Sequence, residues 1–244
     1  MIALGHVLKR VSTEDKCDNL IDCVLESLTT SKLSIHLLET LLEHLQEHGD
    51  AITTSRGWEH VLSILTQSSS SSLNECIALG FRCLEVVVGE FLPNMVASNV
   101  SAKRIVRSLL EFASQRKIVN VSLSAVNLFW NVADHVKSVE IKEVLMGLRK
   151  VAVDSRPDVR NCAMRSLAST IVSSGSNFRI HPEWTFTMND ILMPLLCTVR
   201  CLFESISLPI HLHTKLYSYC RYAKTKNEQQ QNMTVLRTRK VRTI

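Results

Sequence analysis

Apolar positions along this chain recur at helical spacing. Cys17, Leu20, Ile21, Val24, Leu25 and Leu28 fall on one face of a first amphipathic helix. A second begins near Ser31 and aligns Leu33, Leu37, Leu38, Leu41, Leu42 and Leu45. It stops at Gly49, where a residue free to take positive φ closes the end. A short helix after Gly57 carries Trp58, Val61, Leu62 and Leu65, and the serine run at 68–72 reads as a polar loop. Further helices are expected over about 73–91, ahead of Pro93, and over about 101–115. Asn120 is placed to cap one that carries Val121, Ala125, Phe129, Val132 and Val136. Others follow over about 139–153, from Pro157 to Gly175, and from near Trp184 through Ile191, Leu192, Leu195 and Leu196.

These helices pair into a repeat. The second helix of each pair starts near Leu33, Leu73, Val119 and Asp158, a period of about 40 to 46 residues. Val121, Ala125 and Phe129 match Val159, Ala163 and Leu167 at four-residue steps, and Cys76, Gly80 and Leu84 form a looser third copy. A small residue at the centre of each triplet allows close helix approach. The expected fold is all-α, a HEAT/armadillo-like α-solenoid of about four helix pairs over residues 1–206. A basic, poorly ordered tail is expected over 207–244.

Composition agrees. The chain has 244 residues, 45% of them hydrophobic, with only 7 Gly and 5 Pro. That favours helices over a turn-rich sandwich or barrel. The net charge of +5 is misleading. Lys215, Arg221, Lys224, Lys226, Arg237, Arg239, Lys240 and Arg242 face Glu228 alone in the last stretch, so the rest of the chain is slightly acidic. A nucleic-acid groove built into the fold is therefore not expected. The 8 Cys include no CxxC pair. Cys17, Cys23, Cys76, Cys83 and Cys162 fall in helical patterns and read as buried, reduced thiols of a cytoplasmic protein.

The densest charge lies in VAVDSRPDVRNCAMRSL at 151–167, where Asp154, Arg156, Asp158 and Arg160 alternate. No nucleophile or metal-ligand set accompanies them, which argues against an acid–base site. The structural reading has Asp154 ending one helix, Pro157 opening the next and Arg160 reaching to a neighbouring unit. Trp58, Trp130 and Trp184 sit at apolar helical positions and read as core or inter-repeat wedges. His44 and His48 offer no third zinc ligand and read as a solvated helix end. There is no glycine-rich phosphate loop and no nucleophile elbow. No catalytic, cofactor-binding or metal residue is assigned, so the expectation is a non-enzyme with no cofactor and no small-molecule substrate.

Two resemblances extend this reading. Asp154, Val159, Arg160, Ala163 and Leu167 resemble the HEAT consensus, in which Asp and Arg at these places form ladders between units. Five blocks in order are similar to the C-terminal region of the Mon-two (monensin-sensitivity) family, HEAT-repeat proteins related to large Arf guanine-nucleotide exchange factors. They are RGWEHVLSIL (56–65), LGFRCLEVVVGEFLP (79–93), VNVSLSAVNLFWNVADHV (119–136), VDSRPDVRNCAMRSLASTIVSSG (153–175) and PEWTFTMNDILMPLL (182–196). The resemblance covers about 30–197 and fades after Cys197. It implies a non-catalytic scaffold in vesicle-mediated protein transport, peripheral on trans-Golgi and endosome membranes. The implied partners are Dopey-type proteins and, through them, a lipid flippase complex. The alternatives are another HEAT or armadillo adaptor, in nuclear transport or complex assembly, and a guanine-nucleotide exchange regulator. The basic tail is a candidate for contact with anionic lipid.

Overall fold

Among the described residues, amphipathic periodicity becomes nine α-helices in the first of two compact units. A computed structural model describes residues 18–136, 140–175 and 185–204. The helices are α1 (Asp18–Thr30), α2 (Ile35–His48), α3 (Ser55–Ser69), α4 (Asn74–Glu90), α5 (Leu92–Ala97), α6 (Ala102–Ser114), α7 (Val119–His135), α8 (Ile141–Val151) and α9 (Pro157–Gly175). No strand occurs among the described residues. The units span Met1–Thr187 and Met188–Ile244. The described part of the second holds the end of a π-helical turn (Thr187–Leu192) and α10 (Met193–Glu204). The expected domain boundary after residue 206 lies outside the described residues.

Helix packing in the first unit follows a simple rule. α1, α3, α6 and α8 form one row, each against the next. α2, α4, α7 and α9 form a second row in the same way. The rows are joined by α3 on α4, α6 on α7 and α8 on α9. The first unit is thus a two-layer stack of four helix pairs, with α5 inserted between the second and third. Second-row helices start at Ile35, Asn74, Val119 and Pro157, close to the predicted starts. The repeating triplets face inward: Val121, Ala125 and Phe129 of α7, and Val159, Ala163 and Leu167 of α9, are all buried. So are Cys76, Gly80 and Leu84 of α4.

The core lies between the rows. Leu38, Leu41 and Leu45 of α2, Val61 and Leu65 of α3, Leu109 and Phe112 of α6, and Leu145 and Leu148 of α8 are all inaccessible or nearly so. Each such side chain contributes roughly 1.5–3 kcal/mol by leaving water. Trp58 is completely buried, with its ring centroid 5.5 Å from that of Phe91.

Several local expectations are corrected. Gly49 has φ −58 and is not left-handed. Its lack of a side chain instead admits the Phe91 ring, which a Cβ would strike. The left-handed non-glycine residue among those described is Asn99, at φ 59. The helix after the first turn begins before Gly57, at Ser55, because the Thr54 hydroxyl accepts from Gly57 N at 2.9 Å. Ser68 and Ser69 are not loop: they end α3 and are buried. Their hydroxyls donate to Leu65 O and Thr66 O at 2.7 and 2.8 Å, so no polar group is stranded. Asn120 does not cap α7, which has no side-chain cap; Gln115 Oε1 instead holds the turn before it, accepting from Lys117 N and Ile118 N at 2.8 and 2.9 Å. Cys76 and Cys83 are buried as expected, whereas Cys23 is exposed. Cys17 and Trp184 lie outside the described residues.

Candidate functional site

The turn between α8 and α9 is built by its own sequence. α8 closes with Asp154 N donating to Val151 O at 2.9 Å. The short Asp154 carboxylate then accepts from Arg156 N at 2.8 Å, and this Asx-type bond reverses the chain. Pro157, with its fixed φ and missing N–H, opens α9, and Asp158 follows in the first turn, where the helix dipole favours an anion.

Arg156 is the centre of this turn. Its Nε donates to Asp154 Oδ1 and one terminal nitrogen to Oδ2, both at 2.9 Å. That nitrogen also reaches Ala113 O at 2.8 Å. The other terminal nitrogen donates to Gln115 O at 2.7 Å and Ser122 Oγ at 3.0 Å. All five guanidinium N–H groups are therefore engaged. Ala113 and Gln115 lie at the C-terminal end of α6, where carbonyls lack helical partners. A cation there also matches the negative end of the dipole. The guanidinium beside Asp154 holds its carboxyl below the usual carboxylate range, against the opposing effect of burial.

This arrangement clamps the fourth helix pair to the third. Within it the Asp154 carboxylate and the Arg156 guanidinium neutralise each other. Arg160, expected to reach the neighbouring unit, instead donates to Asp154 O at 3.0 Å within its own turn. Arg156 makes the inter-pair contact. The signal for it was the Asp-x-Arg spacing directly before Pro157, which lets a planar fork fold back onto the carboxylate.

Equivalent contacts join the other pairs. Lys117 Nζ donates to Ser71 O and Ser72 O at 2.9 and 2.8 Å, linking the third pair to the second. Arg104 pairs with Glu59 at 3.5 Å, and the Thr66 and Ser108 hydroxyls meet at 2.8 Å. Between the second and first pairs, Thr54 Oγ1 donates to Asp22 Oδ1 at 2.6 Å and Arg56 pairs with Glu26 at 2.9 Å.

Two further expected features sit elsewhere. Trp130 is 39% exposed on the outer side of α7 and is not a core wedge. Asn127, about one turn before it, and Asn131, the next residue, are exposed on the same helix. His44 is buried rather than solvated, with neither ring nitrogen hydrogen-bonded. Burial, with His48 as a second cause, lowers its pKa to about 4. Among the described residues no three His, Cys, Asp or Glu side chains converge to hold a metal. No helix among them is long and apolar enough to cross a membrane.

Comparison with known proteins gives a consistent set of relatives. No family model and no solved structure matches the chain. A MON2 homologue from Xenopus laevis is 26% identical over 214 residues, covering 72% of this chain and 12% of the relative. One from Schizosaccharomyces pombe is 31% identical over 144 residues, covering 56% and 8%. Monensin-resistant homolog 2 of Caenorhabditis elegans is 28% identical over 178 residues, covering 67% and 10%. The chain thus spans about an eighth of the length of the first of these. Across frog, fission yeast and nematode the matches agree, and the chain is a relative of the MON2 family.

Proposed function

We propose that this chain is a non-catalytic helical-repeat scaffold in Golgi–endosome vesicle-mediated protein transport. The observation that carries the reading is the sequence relationship to MON2 proteins over most of the chain. The fold supports it in a specific way. Asp154 and Arg156, in the densest charge cluster, are engaged in joining helix pairs, which supports a structural role for that cluster. On this reading the stack is of HEAT type and acts from the cytoplasmic side, peripheral to trans-Golgi and endosome membranes. Its partners are Dopey-type proteins and, through them, a lipid flippase complex.

One observation favours a second reading, a general peptide-binding adaptor of the kind used in nuclear transport or complex assembly. Trp130 with Asn127 and Asn131 presents an aromatic face and two amides on a second-row helix, a combination suited to an extended backbone.

Affinity isolation of the tagged full-length protein separates the two. Recovery of Dopey-type proteins and flippase subunits supports the transport reading. Recovery of nuclear-transport factors in their place, lost on Trp130→Ala, overturns it in favour of the adaptor.

A further inference from the structure

Charge is unevenly spread along the stack: α1 of the first row carries Asp18, Asp22 and Glu26 with no Lys or Arg, whereas the later helices of that row are basic. In the first row, α6 and α8 are neighbours and together hold Lys103, Arg104, Arg107, Lys142, Arg149 and Lys150 against Glu111 and Glu143. Their buried stripes, Ile105, Leu109 and Phe112 on α6 and Val144, Leu145 and Leu148 on α8, face the second row. The opposite stripes therefore face outward on one side of the stack. Lys103, Arg107 and Lys150 are exposed there, and no ion pair involves them among the described residues. Arg104 is partly neutralised by Glu59, and Lys142 lies over the Phe186 ring at 5.3 Å. Met146 is exposed on α8 between the cations of that helix. In the second row, α2 carries Glu39, Glu43 and Glu47 at four-residue steps with no Lys or Arg. α4 adds Glu75, Glu85 and Glu90 against Arg82.

From this polarity we infer that the outer face of α6 and α8 is the surface by which the protein lies on an anionic lipid bilayer. The cations spread over the outer sides of two neighbouring helices, a distribution that suits a broad charged plane. Long Lys and Arg side chains can extend to lipid phosphates while their stems cover the apolar surface beneath. Met146, flexible and apolar, is positioned to enter the headgroup layer. The acidic helices α1, α2 and α4 belong to the first two pairs and are repelled by the same plane, so the charge pattern favours contact through α6 and α8. The inference rests on the membrane-peripheral reading above and adds which surface makes the contact.

The test is flotation of the full chain with phosphatidylcholine vesicles containing 30% phosphatidylserine, at about 100 mM salt, a concentration that still leaves surface attraction measurable. The triple variant Lys103→Glu/Arg107→Glu/Lys150→Glu is expected to bind about a hundredfold more weakly, because three attractive cations become repulsive carboxylates. Wild-type binding is expected to fall as salt rises. Glu39→Gln/Glu43→Gln/Glu47→Gln is expected to bind at least as well as wild type. Thermal melts confirm that each variant folds. Unchanged binding of the folded triple variant overturns the proposal. So does equal wild-type binding to pure phosphatidylcholine, or binding that is lost only when Arg237, Arg239, Lys240 and Arg242 of the tail are replaced. Capture by poly-glutamate without vesicle binding would point to an acidic protein instead and also overturn it. In cells, a triple variant that leaves membranes yet keeps its protein partners separates this contact from the transport reading; a wild-type protein that never reaches those membranes ends the reading itself.

Discussion

Arg156 shows how one side chain can unite two helix pairs. It is mostly buried, and its guanidinium satisfies a carboxylate, a hydroxyl and two helix-end carbonyls together. Removing it strands those groups in a dry site. Arg156→Ala is therefore expected to destabilise the protein by about 2–4 kcal/mol. Arg156→Lys should recover only part of this, because an ammonium cannot reproduce the fork. Denaturant titration of both variants checks the ordering, and equal loss in the two would contradict it. Acid should act at two residues in different windows. His44 has a folded pKa of about 4 against 6.5 ordinarily, so the unfolded chain takes up its proton first. Stability then falls as pH drops from about 6.5 toward 4. Asp154 has a lowered pKa, so its contribution is intact above the ordinary carboxylate range and disappears below it, as pH falls through the folded value. His44→Leu should flatten the first window and leave the second. Melting temperatures measured from pH 7 to 3 read both.

Among the helices, glycines test how closely elements approach. At Gly147 of α8 an added Cβ would lie 2.6 Å from a Phe129 ring carbon and 2.8 Å from Val106 Cγ1. Gly147→Ala is expected to cost about 1–3 kcal/mol through overpacking. At Gly89 of α4 nothing lies within 4 Å, and Gly89→Ala should stabilise by about 0.5–1 kcal/mol through helix propensity alone. Thermal melts of the two variants should move in opposite directions. Helix existence and pairing were legible because period and burial coincide: Val121, Ala125 and Phe129 could be matched to Val159, Ala163 and Leu167 before any contact was known. The ends were less legible because they depend on partners distant in sequence. Ser68 looks like linker, yet it is buried at the end of α3 because Gly80 of α4 leaves room for its hydroxyl. Gly49 looks like a left-handed cap, yet Phe91 sets its role. The clamp was only half legible. The Asp154 turn and Pro157 were readable from spacing, but choosing Arg156 over Arg160 required knowing where α6 ends. Exposure of Trp130 was not readable either, because aromatic residues at helical spacing usually face a core.

At the scale of the molecule, the described helix pairs of the first unit pack chiefly against their neighbours in both rows, so stability is shared along the stack. Amide exchange should be slowest in α3, α4, α6 and α7, which have neighbours on both sides, and fastest in α1 and α2. Uniform exchange through all four pairs would show one undivided core instead. A stack of this kind acts through its faces, and on the proposed reading those faces serve transport. The most direct test is where the tagged full-length protein resides. Fractionation and imaging should place it with trans-Golgi and endosome membranes, extractable by salt without detergent. A diffuse or nuclear signal, with none in those membrane fractions, would contradict the account.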